Sequence, residues 1–413
     1  MVEFGKKQLN SLLPGNEASL EMVMRLGQWL ESEEIASYDW WDLWATRFGS
    51  WAKCTYDKNP LLGSVGVVPL TLLDLIYPGF RRFTSEKRSF PISHCHVGLG
   101  YLNLFRATKG IGYLRKAEKL VEPLRNMASS QIKGLGWGMN LDWMTVDGLI
   151  PRDTPCNSQT AYAYEFFAAL AEATKEPKYT TYLEKIASHV ANDFLEWRDG
   201  DRLACSYSTK DKRKVVNANS YRMLMLLDAA RRFQNDQYQE KGLATLRYVL
   251  SMQQPDGSWP YSEEERFVDC YHTCFVLKNL YKSKGLADGL KEKVEGAIER
   301  GLRFYFAHLF YANGYPRPFA VKPRLVLHRY DSYDLAESIG LLSLLQIEED
   351  RLSLLIDFAR NEFQTKEGWF AFRKYAFVPL KGIPYMRYAN SAMFLALTHV
   401  VRMKAEGISR ANN

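Results

Sequence analysis

The chain has 413 residues, 46% of them hydrophobic and 24% charged, a balance that excludes extended disorder, a collagen-like repeat and a disulfide-held miniprotein. Its 54 Lys and Arg against 47 Asp and Glu leave a charge of +7, a mild excess without the clustering of a nucleic-acid binder. Length alone predicts about two to three domains, at roughly 150 residues each.

The N-terminus, Met-Val-Glu-Phe-Gly-Lys-Lys, has no apolar run before a small-residue cleavage site and does not read as a signal peptide. Residues 1–90 are irregular and carry Trp40, Trp41, Trp44 and Trp51. They are expected to hold a first outer helix and an extension covering the rest. The apolar stretch Val65 to Phe80 is interrupted by Pro69, Asp74 and Pro78, so no spanning helix is expected.

From residue 91 to 413 the pattern repeats. Six segments open with polar or aromatic residues near His94, Asn157, Asn217, Asp269, Asp331 and Tyr388, then turn almost wholly apolar. Met223 to Leu227 is apolar without a break. A helix apolar all round must be buried on all sides. Between these lie amphipathic helices. In the clearest, Leu290, Val294, Ala297, Ile298, Leu302 and Tyr305 make one stripe beside Lys291, Glu292, Glu295 and Glu299. Similar stripes are expected around 112–130, 180–196, 236–253 and 348–364. Turn signals precede most of the buried helices: Gly136-Trp137, Gly257-Ser258-Trp259, Gly314-Tyr315-Pro316 and Gly368-Trp369, with a degenerate copy at Leu203–Tyr207. Buried and amphipathic helices alternating at a period of about 50 to 63 residues predict an all-α fold, an (α/α)6 toroid in one continuous domain. An open solenoid is the competing arrangement.

In such a ring the inner helices run the same way, so their N-termini meet at one mouth and favour an anion there. The residues at those starts are His94 and His96; Arg152, Asp153, Asn157 and Gln159; Asn217, Asn219 and Tyr221; Asp269, Tyr271 and His272; Arg329, Tyr330, Asp331, Tyr333 and Asp334; and Arg387, Tyr388 and Asn390. Capping explains a single Asn or Asp. It does not explain His, Tyr and Arg recurring at the same places. Asp269 and His272, three apart, suit general acid/base work, because a carboxylate raises the basicity of a histidine and fixes its tautomer. Asp331 and Asp334 are a second such pair, beside Tyr333. These five are the catalytic candidates. His94, His96, Arg152, Asp153, Asn157, Asn217, Asn219, Trp259, Tyr271, Arg329, Arg387 and Tyr388 are the substrate-binding candidates, with the three arginines as carboxylate clamps. No metal or cofactor is expected. Cys270 and Cys274 share a helix face, but His272 lies on another side and zinc needs three or four converging ligands. The six cysteines, Cys54, Cys95, Cys156, Cys205, Cys270 and Cys274, read as reduced thiols of a cytoplasmic protein.

Gln253-Gln254-Pro255-Asp256-Gly257-Ser258-Trp259 resembles the Q-x3-G-x-W repeat of terpenoid cyclases and prenyltransferase β subunits, which are α/α toroids. Their D-x-D-D and D-D-x-x-D motifs are missing, so the resemblance implies architecture and not prenyl chemistry. A longer series runs Trp137-Gly-Met-Asn-Leu-Asp142-Trp143, Thr154-Pro-Cys-Asn157, Val216-Asn217-Ala-Asn219, Asp256-Gly-Ser-Trp259 and Asp269-Cys-Tyr-His272-Thr273. It is similar to an uncharacterised family of bacterial toroids from polysaccharide biosynthesis. That resemblance implies a glycan context. The expected function is an enzyme processing an acidic oligosaccharide, polysaccharide or glycan precursor, by hydrolase, lyase or C5-epimerase chemistry. The alternatives are a non-enzymatic glycan-binding or scaffold protein of a polysaccharide assembly complex, and an isoprenoid-handling toroid.

Overall fold

The computed structural model describes residues 17–145, 148–323, 326–375 and 382–411. Helix α1 (Glu17–Ser32) belongs to an outer layer. Helices α2 (Arg47–Lys58) and α3 (Pro60–Ile76) form a separate hairpin. Inner and outer helices then alternate. Inner α4 (Pro91–Thr108) is followed by the short outer pair α5 (Ile111–Glu118) and α6 (Val121–Asn126). Inner α7 (Asn157–Thr174) pairs with outer α8 (Pro177–Asn192), and inner α9 (Val216–Phe233) with outer α10 (Asp236–Ser251). Inner α11 (Cys270–Ser283) pairs with outer α12 (Lys291–His308), and inner α13 (Ser332–Leu345) with outer α14 (Glu349–Glu362). Inner α15 (Ser391–Ala411) completes the set and is entered through a π-turn, Met386–Asn390. The chain is an (α/α)6 toroid.

The ring is closed. Helix α15 packs along α4. Across that seam His96 Nδ1 meets Ser391 Oγ at 3.3 Å, and Arg402 Nη1 donates to Asn103 Oδ1 at 3.3 Å. A Cβ on Gly100 would stand 2.5 Å from the Phe394 ring, so the two helices touch through a glycine. The outer layer closes as well. In each Q-x3-G turn the glutamine binds the glycine carbonyl and the next outer helix. Gln253 Nε2 donates to Gly257 O and to Ala297 O on α12. Gln364 Nε2 donates to Gly368 O and to Met22 O on α1, so the first helix sits beside the last outer one.

Burial follows the two patterns in the sequence. In α9 Met223, Met225, Leu226 and Leu227 are buried; in α12 Val294, Ala297, Ile298 and Tyr305 are buried and Leu302 half-buried. Four of the inner helices end alike. Lys109, Lys175, Gln234 and Gln346 adopt left-handed φ of 56°, 60°, 51° and 56° after α4, α7, α9 and α13. Each donates its N–H to the carbonyl four residues back, which closes the last turn. The turn indoles are plugs between layers: Trp137 Nε1 donates to Leu124 O at 2.8 Å and Trp259 Nε1 to Val249 O at 3.0 Å.

One pair of substitutions tests this packing. A Cβ on Gly301 would lie 2.5 Å from the Trp259 ring, whereas on Gly296, five residues earlier in α12, it meets only the flexible end of Arg300 at 3.4 Å. Gly301→Ala is expected to destabilise by about 1–3 kcal/mol through overpacking. Gly296→Ala is expected to stabilise by up to about 1 kcal/mol through helix propensity. Urea unfolding of the two variants measures both; equal effects would contradict the packing.

Candidate functional site

Inner helix starts are delivered by turns or two-stranded hairpins, and at α9 and α15 an asparagine near the start ties the two together. Asn219 accepts from Cys205 N at 2.8 Å and donates to Cys205 O and Val215 O. Asn390 repeats this on Phe370 N, Phe370 O and Tyr385 O. Asn157 Nδ2 donates to Ser206 O at 3.1 Å, and Gln159 Oε1 accepts from Ile92 N on the neighbouring inner helix. Asn217 is buried with its Oδ1 unpartnered.

Asp269 and Asp331 do the same and more. Asp269 caps α11 by accepting from His272 N at 3.0 Å, and its second oxygen accepts from His272 Nδ1 at 2.7 Å. The carboxylate is buried; the His272 side chain keeps 19% of its surface open. Nδ1 must carry the proton in that bond, which leaves Nε2 as the free ring nitrogen. Asp331 caps α13 through Tyr333 N at 2.8 Å and pairs with Arg373 Nε at 2.8 Å, opposite it in the β-ladder. Asp334 is buried with Oδ1 unpartnered. Burial, then the charges of Asp331 and Asp269, push its pKa well above the carboxylate range. Burial also raises Asp331, against the Arg373 guanidinium, which lowers it. The three carboxylates therefore form one electrostatic cluster.

In front of them runs an arc of rings. His272 contacts Tyr261 at 4.8 Å and Tyr271 at 4.2 Å between centroids. Tyr271 meets Tyr333 at 5.1 Å, and Tyr333 meets Tyr388 at 5.5 Å. Trp41 Nε1 donates to Tyr388 Oη at 2.7 Å, so the extension reaches this mouth. Burial raises the phenol pKa of Tyr271 and Tyr333, and that of Tyr388 to about 12. All three stay neutral proton donors. At the other end of the arc Arg213 lies over Trp143 and Tyr207, pairs with Asp211 at 3.3 Å and with Glu265 at 4.0 Å, and leaves its buried Nε unpartnered.

The remaining expected residues stand elsewhere or are occupied. His94 is buried against Phe90 O, and His96 is buried in the ring seam with its pKa pushed down to about 3 by burial. Trp259 is 3% exposed behind the mouth, between layers. Arg152 is exposed on Asp142, and Asp153 accepts from Gln131. Arg329 lies over Tyr311 and Tyr330. Arg387 is buried and bidentate on Asp39, at 2.9 and 2.6 Å, so its fork is filled from within the chain. Cys270 and Cys274 both face the Tyr305 hydroxyl, away from His272. Asp39, Arg213, Tyr261 and Arg373 are site residues the sequence did not single out. Asp39 and Arg373 pair with residues 348 and 42 positions away, and only the Trp40-Trp41 run beside Asp39 marked the region.

A second space opens at the opposite end of the ring. It is a cavity of about 450 Å³ lined by later turns of the inner helices, with Tyr162, Tyr221, Lys278, Glu337, His399 and Arg402 among its walls. Lys278 is ion-paired with Glu337, and Tyr221 donates to the Tyr162 hydroxyl at 3.1 Å.

No protein-family model and no curated protein sequence matches the chain. Solved structures do. Cellobiose 2-epimerase from Spirochaeta thermophila is 14% identical, with a TM-score of 0.59 over 78% of this chain and 87% of that one. A family 76 glycoside hydrolase, an α-mannanase of Bacteroides thetaiotaomicron, is 12% identical, with a TM-score of 0.59 over 90% and 99%. A family 88 glycosyl hydrolase from Bacteroides vulgatus is 12% identical, with a TM-score of 0.54 over 76% and 92%. The chain thus shares its closed ring of six helical hairpins with an epimerase and with glycoside hydrolases.

Proposed function

We propose that this protein is a carbohydrate-active enzyme that moves a proton on an acidic glycan or glycan precursor, as a lyase or C5-epimerase, in cytoplasmic polysaccharide biosynthesis. The observation that carries the reading is the Asp269–His272 pair: a buried carboxylate fixes the tautomer of a half-open imidazole at the centre of an aromatic arc. His272 Nε2 is the base that takes the proton beside a sugar carboxylate. Tyr271 and Tyr333 are hydroxyl donors on the same arc, and burial beside Asp331 and Asp269 favours the protonated form of Asp334. Arg213, at the end of the arc, is the cation that meets the sugar carboxylate. The rings of Tyr261, Tyr271 and Tyr388 give the flat apolar faces that sugar rings stack on. Proton abstraction fits better than hydrolysis, since Asp269, Asp331 and Asp334 are all buried while the histidine is open. Glycan binding without turnover is the second reading. It is favoured by the capping and pairing that already occupy Asp269 and Asp331.

Asp269→Asn keeps a side chain that caps α11 but removes the charge that holds His272. Together with His272→Gln it is expected to lower kcat on a uronate-containing oligosaccharide by about a hundredfold to ten-thousandfold, with unfolding midpoints nearly unchanged. Wild-type turnover by both variants would refute the assignment. Product analysis separates an unsaturated sugar (lyase) from solvent deuterium incorporation at C5 (epimerase).

The state of Asp334 has its own signature. A carboxyl whose folded pKa is raised adds stability below its unfolded pKa, about 4, and that stability is lost as pH rises through the folded value. The wild type is therefore expected to lose stability relative to Asp334→Asn as pH rises from 4. A constant difference across the range would show that Asp334 has the same pKa in the folded and unfolded chain, and would contradict the raised folded value.

A further inference from the structure

The hairpin α2–α3 packs inside out. Of seventeen exposed large apolar or aromatic side chains among the described residues, eleven fall between Phe48 and Phe83. In α3, Leu61, Val65, Val68, Leu72 and Ile76 follow at steps of four, three, four and four, which puts them on one face. That face points away from the protein: Leu61 is 87% exposed, Val65 74% and Ile76 71%. The face turned to α2 carries Gly63 and Gly66, the two buried residues of the helix. A Cβ on Gly63 would stand 2.1 Å from Tyr56 Cα and one on Gly66 2.8 Å from Ala52 Cβ, so α3 meets α2 through its glycines. A helix that packs by its glycines and shows its leucines to the outside is arranged for an apolar medium on that outside.

We propose that this hairpin is a one-sided anchor to an anionic phospholipid surface. Charge selects that occupant. Residues 47–88 hold seven Lys or Arg against three Asp or Glu, an excess of four in a chain whose total excess is seven. Arg47, Lys58 and Arg82 are exposed in this segment, beside the exposed acids Asp57 and Glu86, and so are Trp51, Tyr77 and Phe83, rings of the kind a bilayer interface takes. The segment lies on the surface and does not cross it. Among the described residues no single helix is long and apolar enough to span, and the chain bends by 101° between α3 and the turn at Pro78–Thr84. An apolar face with a cationic fringe binds by inserting side chains to the headgroup boundary and attracting acidic lipids.

The test is co-sedimentation of the full chain with vesicles of phosphatidylglycerol and phosphatidylethanolamine, and with phosphatidylcholine alone. Binding is expected to the acidic vesicles, weakened by salt. The surface variant Leu61→Asp/Val65→Asp/Leu72→Asp should lower partitioning by roughly tenfold or more with an unchanged melting temperature. A second variant, Lys58→Glu/Arg82→Glu, should lower it on acidic vesicles only. Absence of sedimentation with either vesicle, or unchanged partitioning of the triple variant, would overturn the proposal. So would a lipid-free dimer that the triple variant dissociates, which would give the face to a second copy of this chain.

Discussion

The structure depends on one constraint: every inner helix must start at the same level, and the backbone of the turn that delivers it must be satisfied there. Buried N–H and C=O groups left unpaired cost about 1–3 kcal/mol each. Asn219, Asn390, Asn157, Asp269 and Asp331 meet that need at successive corners of the ring. The polar character of the mouth is therefore first of all structural. On the proposed function, chemistry rests on what these residues have left over. Asn219 and Asn390 have nothing left, since oxygen and nitrogen are both bound. Asp269 has a second oxygen, and it holds His272. Asp331 has one, and it holds Arg373.

The same logic separates what was legible in the sequence from what was not. Inner helices surrounded by protein must be apolar on every side, so the starts at Asn157 and Asp331 lie within one residue of the elements seen. The outer stripe of α12 was legible for the opposite reason, because one face is solvated. The inner helix ends were not. Lys109, Lys175, Gln234 and Gln346 take a left-handed conformation without glycine, and such residues carry no local signal. Nor were the partners of the site. Arg373 reaches Asp331 across 42 positions and Arg387 reaches Asp39 across 348, and no spacing rule connects residues so far apart. The composition of the mouth was thus readable, and its wiring was not. Arg387 had the residue type of a substrate clamp, but its fork is closed by the extension.

The extension has two faces with different work. Its inner face binds the mouth through Asp39 on Arg387, Trp41 on Tyr388 and Lys53 on Met144 O at 2.6 Å. Its outer face carries the leucine and valine stripe of α3. The positive and aromatic excess of the composition accordingly divides between two places. Part lines the arc from Arg213 to Tyr388, and part fringes α3. An acidic glycan carried near an acidic membrane would meet both.

On the proposed function, substrate binds at the N-terminal mouth and not in the cavity of about 450 Å³ on the opposite end. A crystal of the Asp269→Asn variant soaked with a uronate-containing oligosaccharide tests it most directly. A sugar ring against Tyr261 and His272, with its carboxylate on Arg213, is the expected result. Sugar bound instead between Lys278 and Glu337, with the mouth empty, would contradict it.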